Sequence, residues 1–150
     1  MRALLQRVTT ASVTIESVQV AHIQRGLLIL LGIETTDTPE DLDWLAIKIT
    51  TLRLFPDAET PWSKSVTEIA GDLLLVSQFT LHASTKKGTK PSWHRAAKPD
   101  QAIPLYEAMH TKLTALLGRP VPAGRFGAMM QVSLTNDGPV TILLDSKNRE

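Results

Sequence analysis

Two short apolar runs constrain this chain more than any other feature. Leu27–Ile33 contains only Gly32 as an interruption, and Leu73–Val76 contains none. Each has the length of a buried strand. Around them the pattern changes. Ala3–Val8 and Ser12–Val20 alternate and are rich in Val, Ile and Thr, so they predict two strands. Thr38-Pro39-Glu40-Asp41 reads as a helix start, with a capping residue, a first-turn proline and acids at the positive end of the dipole. Leu42, Leu45, Ile49 and Leu52 follow at helical spacing and extend that helix to about Arg53.

Pro56–Ser65 reads as a loop and Asp72–Phe79 as a buried strand. Thr85–Asp100 reads as an irregular basic loop. Gln101–Leu117 predicts a second helix despite Pro104, stopped by Gly118 and Pro120. Met130, Val132 and Leu134 alternate with polar residues as a half-buried strand, and Val140–Leu144 is the last strand. Asn136-Asp137-Gly138-Pro139 between them carries a hairpin-turn signal, with an ordinary trans proline expected. The order β-β-β-α-β-α-β-β gives one mixed α/β domain over residues 1–150, with two main helices and hairpins at both ends.

A chain of 150 residues with 43% hydrophobic content can bury an adequate core without a staple. It has no cysteine, which removes disulfides, thiolate metal sites and cysteine nucleophiles together. No apolar stretch approaches the roughly 20 residues of a membrane span. The N-terminal residues lack the apolar run of a signal peptide, so a cytoplasmic protein is expected. The formal net charge is +1, yet no acid lies between Asp72 and Asp100. That stretch carries Lys86, Lys87, Lys90, Arg95 and Lys98 with His82 and His94. It reads either as a solvated loop or as a footprint for phosphates.

Phosphate-loop, dinucleotide and paired-histidine metal motifs are missing, so neither metal nor cofactor is expected. Two segments could carry chemistry. Ser77-Gln78-Phe79-Thr80-Leu81 offers hydroxyls, an amide and backbone N–H groups where a buried strand meets the basic loop. Spacing alone favours a strand that simply turns polar as it leaves the core. Asn136-Asp137-Gly138-Pro139-Val140-Thr141, by itself, is a turn. No Ser-His-acid set lies near either segment, so backbone donors or the substrate itself would have to contribute.

Together these segments resemble the D-aminoacyl-tRNA deacylase family, nearly end to end. The resemblance runs through Leu5-Gln6-Arg7-Val8, Gly26-Leu27-Leu28, Leu31-Gly32 and Arg53-Leu54-Phe55-Pro56-Asp57. It includes both segments above, Lys87-Gly88, Lys90-Pro91-Ser92 and Gly124-Arg125-Phe126-Gly127-Ala128. Trp62-Ser63-Lys64-Ser65, Ser84 and Trp93 depart from the usual pattern, Trp93 standing where phenylalanine is common.

The resemblance implies a mixed β-sheet or partly closed barrel, assembled as a homodimer with active sites at the subunit interface. It implies hydrolysis of the ester of D-aminoacyl-tRNA, and of mischarged glycyl-tRNA, as proofreading in translation. Gly138-Pro139 would be a cis-linked filter reaching the partner's site and excluding an L side chain, with Arg7 supporting it. Ser77, Gln78 and the backbone N–H groups of Phe79 and Thr80 would form the catalytic pocket. Thr80 is the nucleophile candidate by position, but without a base the tRNA 2′-hydroxyl is preferred as the group that activates water. Lys86, Lys87, Lys90 and Arg95 would meet tRNA phosphates. Alternatives are a non-catalytic RNA-binding module, a general ester hydrolase and an L-alanyl-tRNA deacylase of a sister family. Arg7 and Ser77-Gln78-Phe79 favour the D-specific branch over the last.

Overall fold

The computed structural model describes residues 1–150 as one sheet of five strands covered on one face by two helices. The strands are β1 (Arg2–Ile15), β2 (Val18–Ile23), β3 (Gly26–Gly32), β4 (Asp72–Ser77) and β5 (Gln131–Asp145). The helices are α1 (Pro39–Thr51) and α2 (Pro99–Leu117).

β1 organises the sheet because it is long enough to hold three neighbours. Its first half pairs β3, with Arg2 opposite Gly32 and Val8 opposite Gly26. Its second half turns through Glu16–Ser17, both at positive φ, to pair β2. Along its other edge it pairs β5 almost throughout. β3 and β4 are parallel, joined by the α1 crossover, with Leu27 opposite Leu73 and Leu31 opposite Ser77.

The two faces have separate cores. Ala3, Leu5, Leu27, Ile29, Leu31, Leu73 and Leu75 face the helices, where Leu45, Ile49, Tyr106 and Met109 cover them. Val8, Val13, Ile23, Leu28, Leu74 and Val76 pack together in a second cluster on the opposite face. β3 and β4 are therefore buried on both faces, which explains their unbroken apolar sequences. β1 changes the face it buries at register shifts between Gln6 and Thr10. The mixed, curled sheet agrees with the expected partly closed barrel.

Helix α1 begins at the Thr38 cap, where the Thr38 N–H donates to Asp41 Oδ2 at 2.9 Å, closing a capping box. It ends at Thr51, two residues before Arg53. Helix α2 starts at Pro99, earlier than Gln101, because Pro99 suits the first helical position. Pro104 is tolerated inside it, and Gly118 closes it in the left-handed conformation at φ 74°.

Two strand readings are corrected. Ala3–Val8 and the start of Ser12–Val20 form one strand, and the reversal falls at Glu16–Ser17, a turn without the usual glycine or asparagine signal. The segments around Met130–Thr135 and Val140–Leu144 are also one strand, β5. Asn136-Asp137-Gly138-Pro139 is therefore no hairpin turn. Asn136 pairs Val8 and Thr141 pairs Gln6, so four residues, Asp137–Val140, bulge out opposite Arg7 alone. The Gly138–Pro139 bond is cis, as the resemblance implies and against the ordinary trans expectation. Finally, the basic loop has internal order: Ser84 and Ser92 exchange two backbone hydrogen bonds of 2.8 and 3.0 Å.

Candidate active site

The first segment leaves the sheet where β4 ends. The Gln78 N–H donates to Leu31 O at 2.7 Å, the last tie to β3. Phe79–His82 then form a single 3₁₀ turn. The turn is four residues long, so the N–H groups of Phe79 and Thr80 have no acceptor within it. The Gln78 side-chain amide donates to the Thr80 hydroxyl. Ser77, Gln78 and Thr80 are half-buried, whereas Phe79 is 56% exposed.

A cleft of about 350 Å³ opens beside this turn. Val76, Ser77, Gln78 and Phe79 form one wall, and Phe126–Met130 form the other. Leu31, Ile33, Ala97 and Ala102 close its floor, and 11 of its 14 lining residues are hydrophobic. An apolar cleft of this size with a few backbone and amide groups at its edge suits a small organic moiety. The facing wall was not anticipated as part of the site. Its signal was present in Gly124-Arg125-Phe126-Gly127-Ala128, an aromatic between glycines. Phe126 is held there by edge-on packing against Tyr106, whose hydroxyl donates to Leu75 O at 3.1 Å. Burial pushes the Tyr106 phenol up to about 12, so it stays a neutral donor.

No general base sits beside Thr80. The nearest histidine in sequence, His82, is 1% exposed and both its ring nitrogens lack hydrogen-bond partners. Burial lowers its pKa, so it is neutral and packed under the turn instead of contributing to the basic surface. A threonine hydroxyl without a base is a weak nucleophile.

The second segment lies elsewhere in the same chain. Arg7 is buried, and its guanidinium donates to Asp137 O at 3.1 Å and to Leu54 O at 2.5 Å. It also pairs the Asp137 carboxylate at 3.1 Å. Gly138 and Pro139 are exposed at the crest of the bulge. Arg7 is opposite Leu27, which is opposite Leu73, four residues before Ser77. Three strand spacings of about 4.8 Å and four residues of about 3.3 Å therefore separate bulge from turn. None of Arg7, Gly138 or Pro139 lines the cleft. One chain thus keeps the two segments apart.

The basic residues also divide. Lys86, Lys87 and Lys90 are exposed on the Ser84–Ser92 hairpin without a carboxylate partner. Arg95 is tied down: its side chain approaches Glu34 at 3.8 Å and its carbonyl accepts from Thr35 N–H at 3.0 Å.

A sequence profile described as D-Tyr-tRNA(Tyr) deacylase matches residues 4–145. A D-aminoacyl-tRNA deacylase of Flavobacterium johnsoniae is 55% identical over 150 residues, covering all of both chains. That of Parabacteroides distasonis is 54% identical with the same coverage. A solved structure described as c-Myc DNA unwinding element binding protein superimposes with a TM-score of 0.92 at 44% identity, covering 97% of this chain and 98% of the other. A second, described as "a probable eukaryotic D-amino acid tRNA deacylase", gives 0.81 at 19% identity over 95% and 97% of the chains. The second likeness is one of fold. No helix of the chain is long and apolar enough to cross a membrane.

Proposed function

The chain belongs to the D-Tyr-tRNA(Tyr) deacylase family, and from that premise we propose that it hydrolyses the ester joining a D-amino acid to tRNA. The observation that carries the reading is the placement of Ser77–Phe79 along an apolar cleft, at the start of a 3₁₀ turn whose Phe79 and Thr80 N–H groups have no acceptor within it.

In this reading the aminoacyl ester enters the cleft with its carbonyl toward the N–H groups of Phe79 and Thr80. Water adds to the carbonyl carbon, and the oxyanion is held by those donors. The ester C–O bond then breaks, and the ribose oxygen leaves with a proton. Fixed donors of this kind are worth about 2.7–4 kcal/mol each in other enzymes. With no side-chain base at hand, the vicinal 2′-hydroxyl of the terminal adenosine orients and activates the water. Gln78, bonded to Thr80 Oγ1, fixes the turn.

Selection against L-amino acids falls to Gly138–Pro139 of a second copy. Backbone carbonyls at the crest of that bulge would meet an L side chain and leave a D side chain free, and glycine would pass. Three features support this arrangement. The bulge projects from β5, whose outer edge is unpaired; Arg7 holds its base; and one chain cannot place it in its own cleft. The assembly is then a two-fold homodimer with composite sites. Lys86, Lys87 and Lys90 meet the tRNA backbone, and the work is done in the cytoplasm.

The test is the rate of deacylation of D-Tyr-tRNA against L-Tyr-tRNA by purified protein. Selective loss of the D-ester supports the proposal, and equal loss of both means an unselective esterase. A second reading, a nucleic-acid-binding module without turnover, draws on the DNA-binding description of the 44%-identical structure. It would be favoured by retained tRNA binding with no loss of either ester.

A further inference from the structure

The proposed chemistry uses the backbone of Phe79 but not its ring, which remains 56% exposed. The Trp93 ring packs against it, with centroids 5.7 Å apart and planes at 70°. Trp93 itself is 38% exposed. An edge-to-face pair covers at most one face of one ring, so both aromatics keep open faces. Two large apolar rings in water need a reason beyond fold stability.

The pair is rigidly mounted. Phe79 is the first residue of the 3₁₀ turn tied to β3 through Gln78. Trp93 follows the Ser84–Ser92 bridge directly, and its carbonyl accepts from Ala96 N–H at 3.0 Å. Ala97 N–H donates to Ile33 O at 2.9 Å, and Arg95 is anchored at Thr35 and Glu34. Arg95 therefore helps to hold Trp93 in place. The loop that carries Lys86, Lys87 and Lys90, exposed and without acidic neighbours in sequence, closes at Ser92, the residue before Trp93. Aromatic faces beside a track of free cations match the chemistry of an unpaired polynucleotide, whose bases stack while its phosphates pair. A protein partner would not require that combination.

We propose that Trp93, braced by Phe79, is a stacking platform for an unpaired nucleotide just upstream of the terminal adenosine of the tRNA 3′ end. The hairpin lysines hold the phosphates of the same segment. This rests on the deacylase reading and adds to it a residue that recognises the tRNA end outside the reacting pocket. Trp93 is a specificity-determining contact and takes no part in the chemistry.

The experiment compares two substrates that differ only upstream of the reacting end, D-Tyr-tRNA and 3′-O-D-tyrosyl-adenosine. Trp93→Ala should raise KM for the tRNA by about 5- to 150-fold, the span of base–aromatic stacking, with kcat little changed. Turnover of the adenosine ester, which ends before the platform, should hold within about twofold. Trp93→Phe should restore most of the loss. Equal losses on both substrates would make Trp93 a mere support of the 3₁₀ turn and overturn the proposal, as would no loss on either. Binding of uncharged tRNA by anisotropy separates this from the parent reading. If the wild type cleaves neither ester but Trp93→Ala weakens binding, the deacylase reading fails and the platform stands. If binding is unchanged as well, both fail.

Discussion

Gly32→Ala tests whether the 3₁₀ turn positions the reacting ester. Gly32 ends β3 directly beneath that turn. A Cβ at this position would lie 3.0 Å from Gln78 O, 3.0 Å from Leu81 Cβ and 3.1 Å from His82 Cδ2. Carbon pairs prefer about 3.5–4.0 Å, so the turn must retreat by a few tenths of an ångström. Its retreat is opposed by the 2.7 Å bond from Gln78 N–H to Leu31 O and the 2.9 Å bond from Arg2 to Leu81 O. Overpacking of this kind costs about 1–3 kcal/mol. In a domain of this size that lowers Tm by about 2–12 °C. The Phe79 and Thr80 N–H groups move with the turn. Misplacement by a full ångström costs about 100-fold, so a shift of a few tenths should lower kcat on D-Tyr-tRNA about 4- to 10-fold. KM should change less than kcat, because the Phe126–Met130 wall and the lysine hairpin are not touched by the new Cβ. Single-turnover deacylation together with a melting curve reads both effects. A variant that melts early but keeps wild-type kcat would refute the assignment of the N–H groups.

Other substitutions separate filter, support and core. Gly138 has φ 155°, and a Cβ there would lie 2.3 Å from Val140 N; Gly138→Ala must therefore displace the bulge, and D-over-L selectivity should fall at least about tenfold. Selectivity equal to wild type would remove the bulge from the filter. Arg7→Met strips Asp137 and Leu54 of a buried cationic donor and should cost about 1.5–3 kcal/mol in urea unfolding, with a matching loss of selectivity; an unchanged midpoint contradicts the role given to Arg7. His82 is buried neutral, its pKa held below the ordinary 6.5 by loss of water. Above pH 6.5 both folded and unfolded forms are neutral. Below it the unfolded chain takes up the proton first, so stability falls as pH drops toward the lower folded value. Urea midpoints at pH 7.5 and 5.5 should differ less in His82→Leu than in the wild type, and an identical difference would mean that His82 titrates freely.

What could be read from the sequence followed local physics. The runs Leu27–Ile33 and Leu73–Val76 announced strands buried on both faces, since no polar alternation survives where both sides are dry. Thr38-Pro39 and Gly118 marked helix ends because capping chemistry is local. The bulge was misread for a physical reason. Asn-Asp-Gly is a turn signal, and nothing nearby says that the flanking strands pair the same side of β1 in the same direction. That information is non-local, as is the division of Val8 and Leu5 between opposite cores. Within the site, Ser77–Thr80 was legible as a strand end beside a loop. The Phe126–Met130 wall was not, since it is placed by non-local contacts, among them Tyr106 on α2 and a bridge from Ala123 to Leu75. His82 was counted with a basic stretch whose spacing gives no hint of burial.

The separation of turn and bulge within one chain makes composite sites testable by mixing subunits. A Gly32→Ala subunit has a slow pocket and an intact bulge. A Gly138→Ala subunit has an intact pocket and a displaced bulge. If each bulge serves its partner's pocket, a mixed dimer contains one pocket with neither defect, the one belonging to the Gly138→Ala subunit. Its other pocket carries both defects and contributes little. Increasing amounts of the Gly32→Ala chain, co-folded with a fixed amount of the Gly138→Ala chain, should therefore suppress hydrolysis of L-Tyr-tRNA. At equal amounts random pairing leaves about half of the fast pockets unfiltered, and a large excess leaves almost none. Hydrolysis of D-Tyr-tRNA should not fall at any ratio, because the number of fast pockets is fixed and the added slow pockets only add to it. If each bulge served its own chain, added Gly32→Ala subunits would leave the L-Tyr-tRNA rate unchanged. A flat L-Tyr-tRNA rate across the titration, with mixed dimers verified by mass, would therefore refute the in-trans filter while leaving the pocket assignment intact.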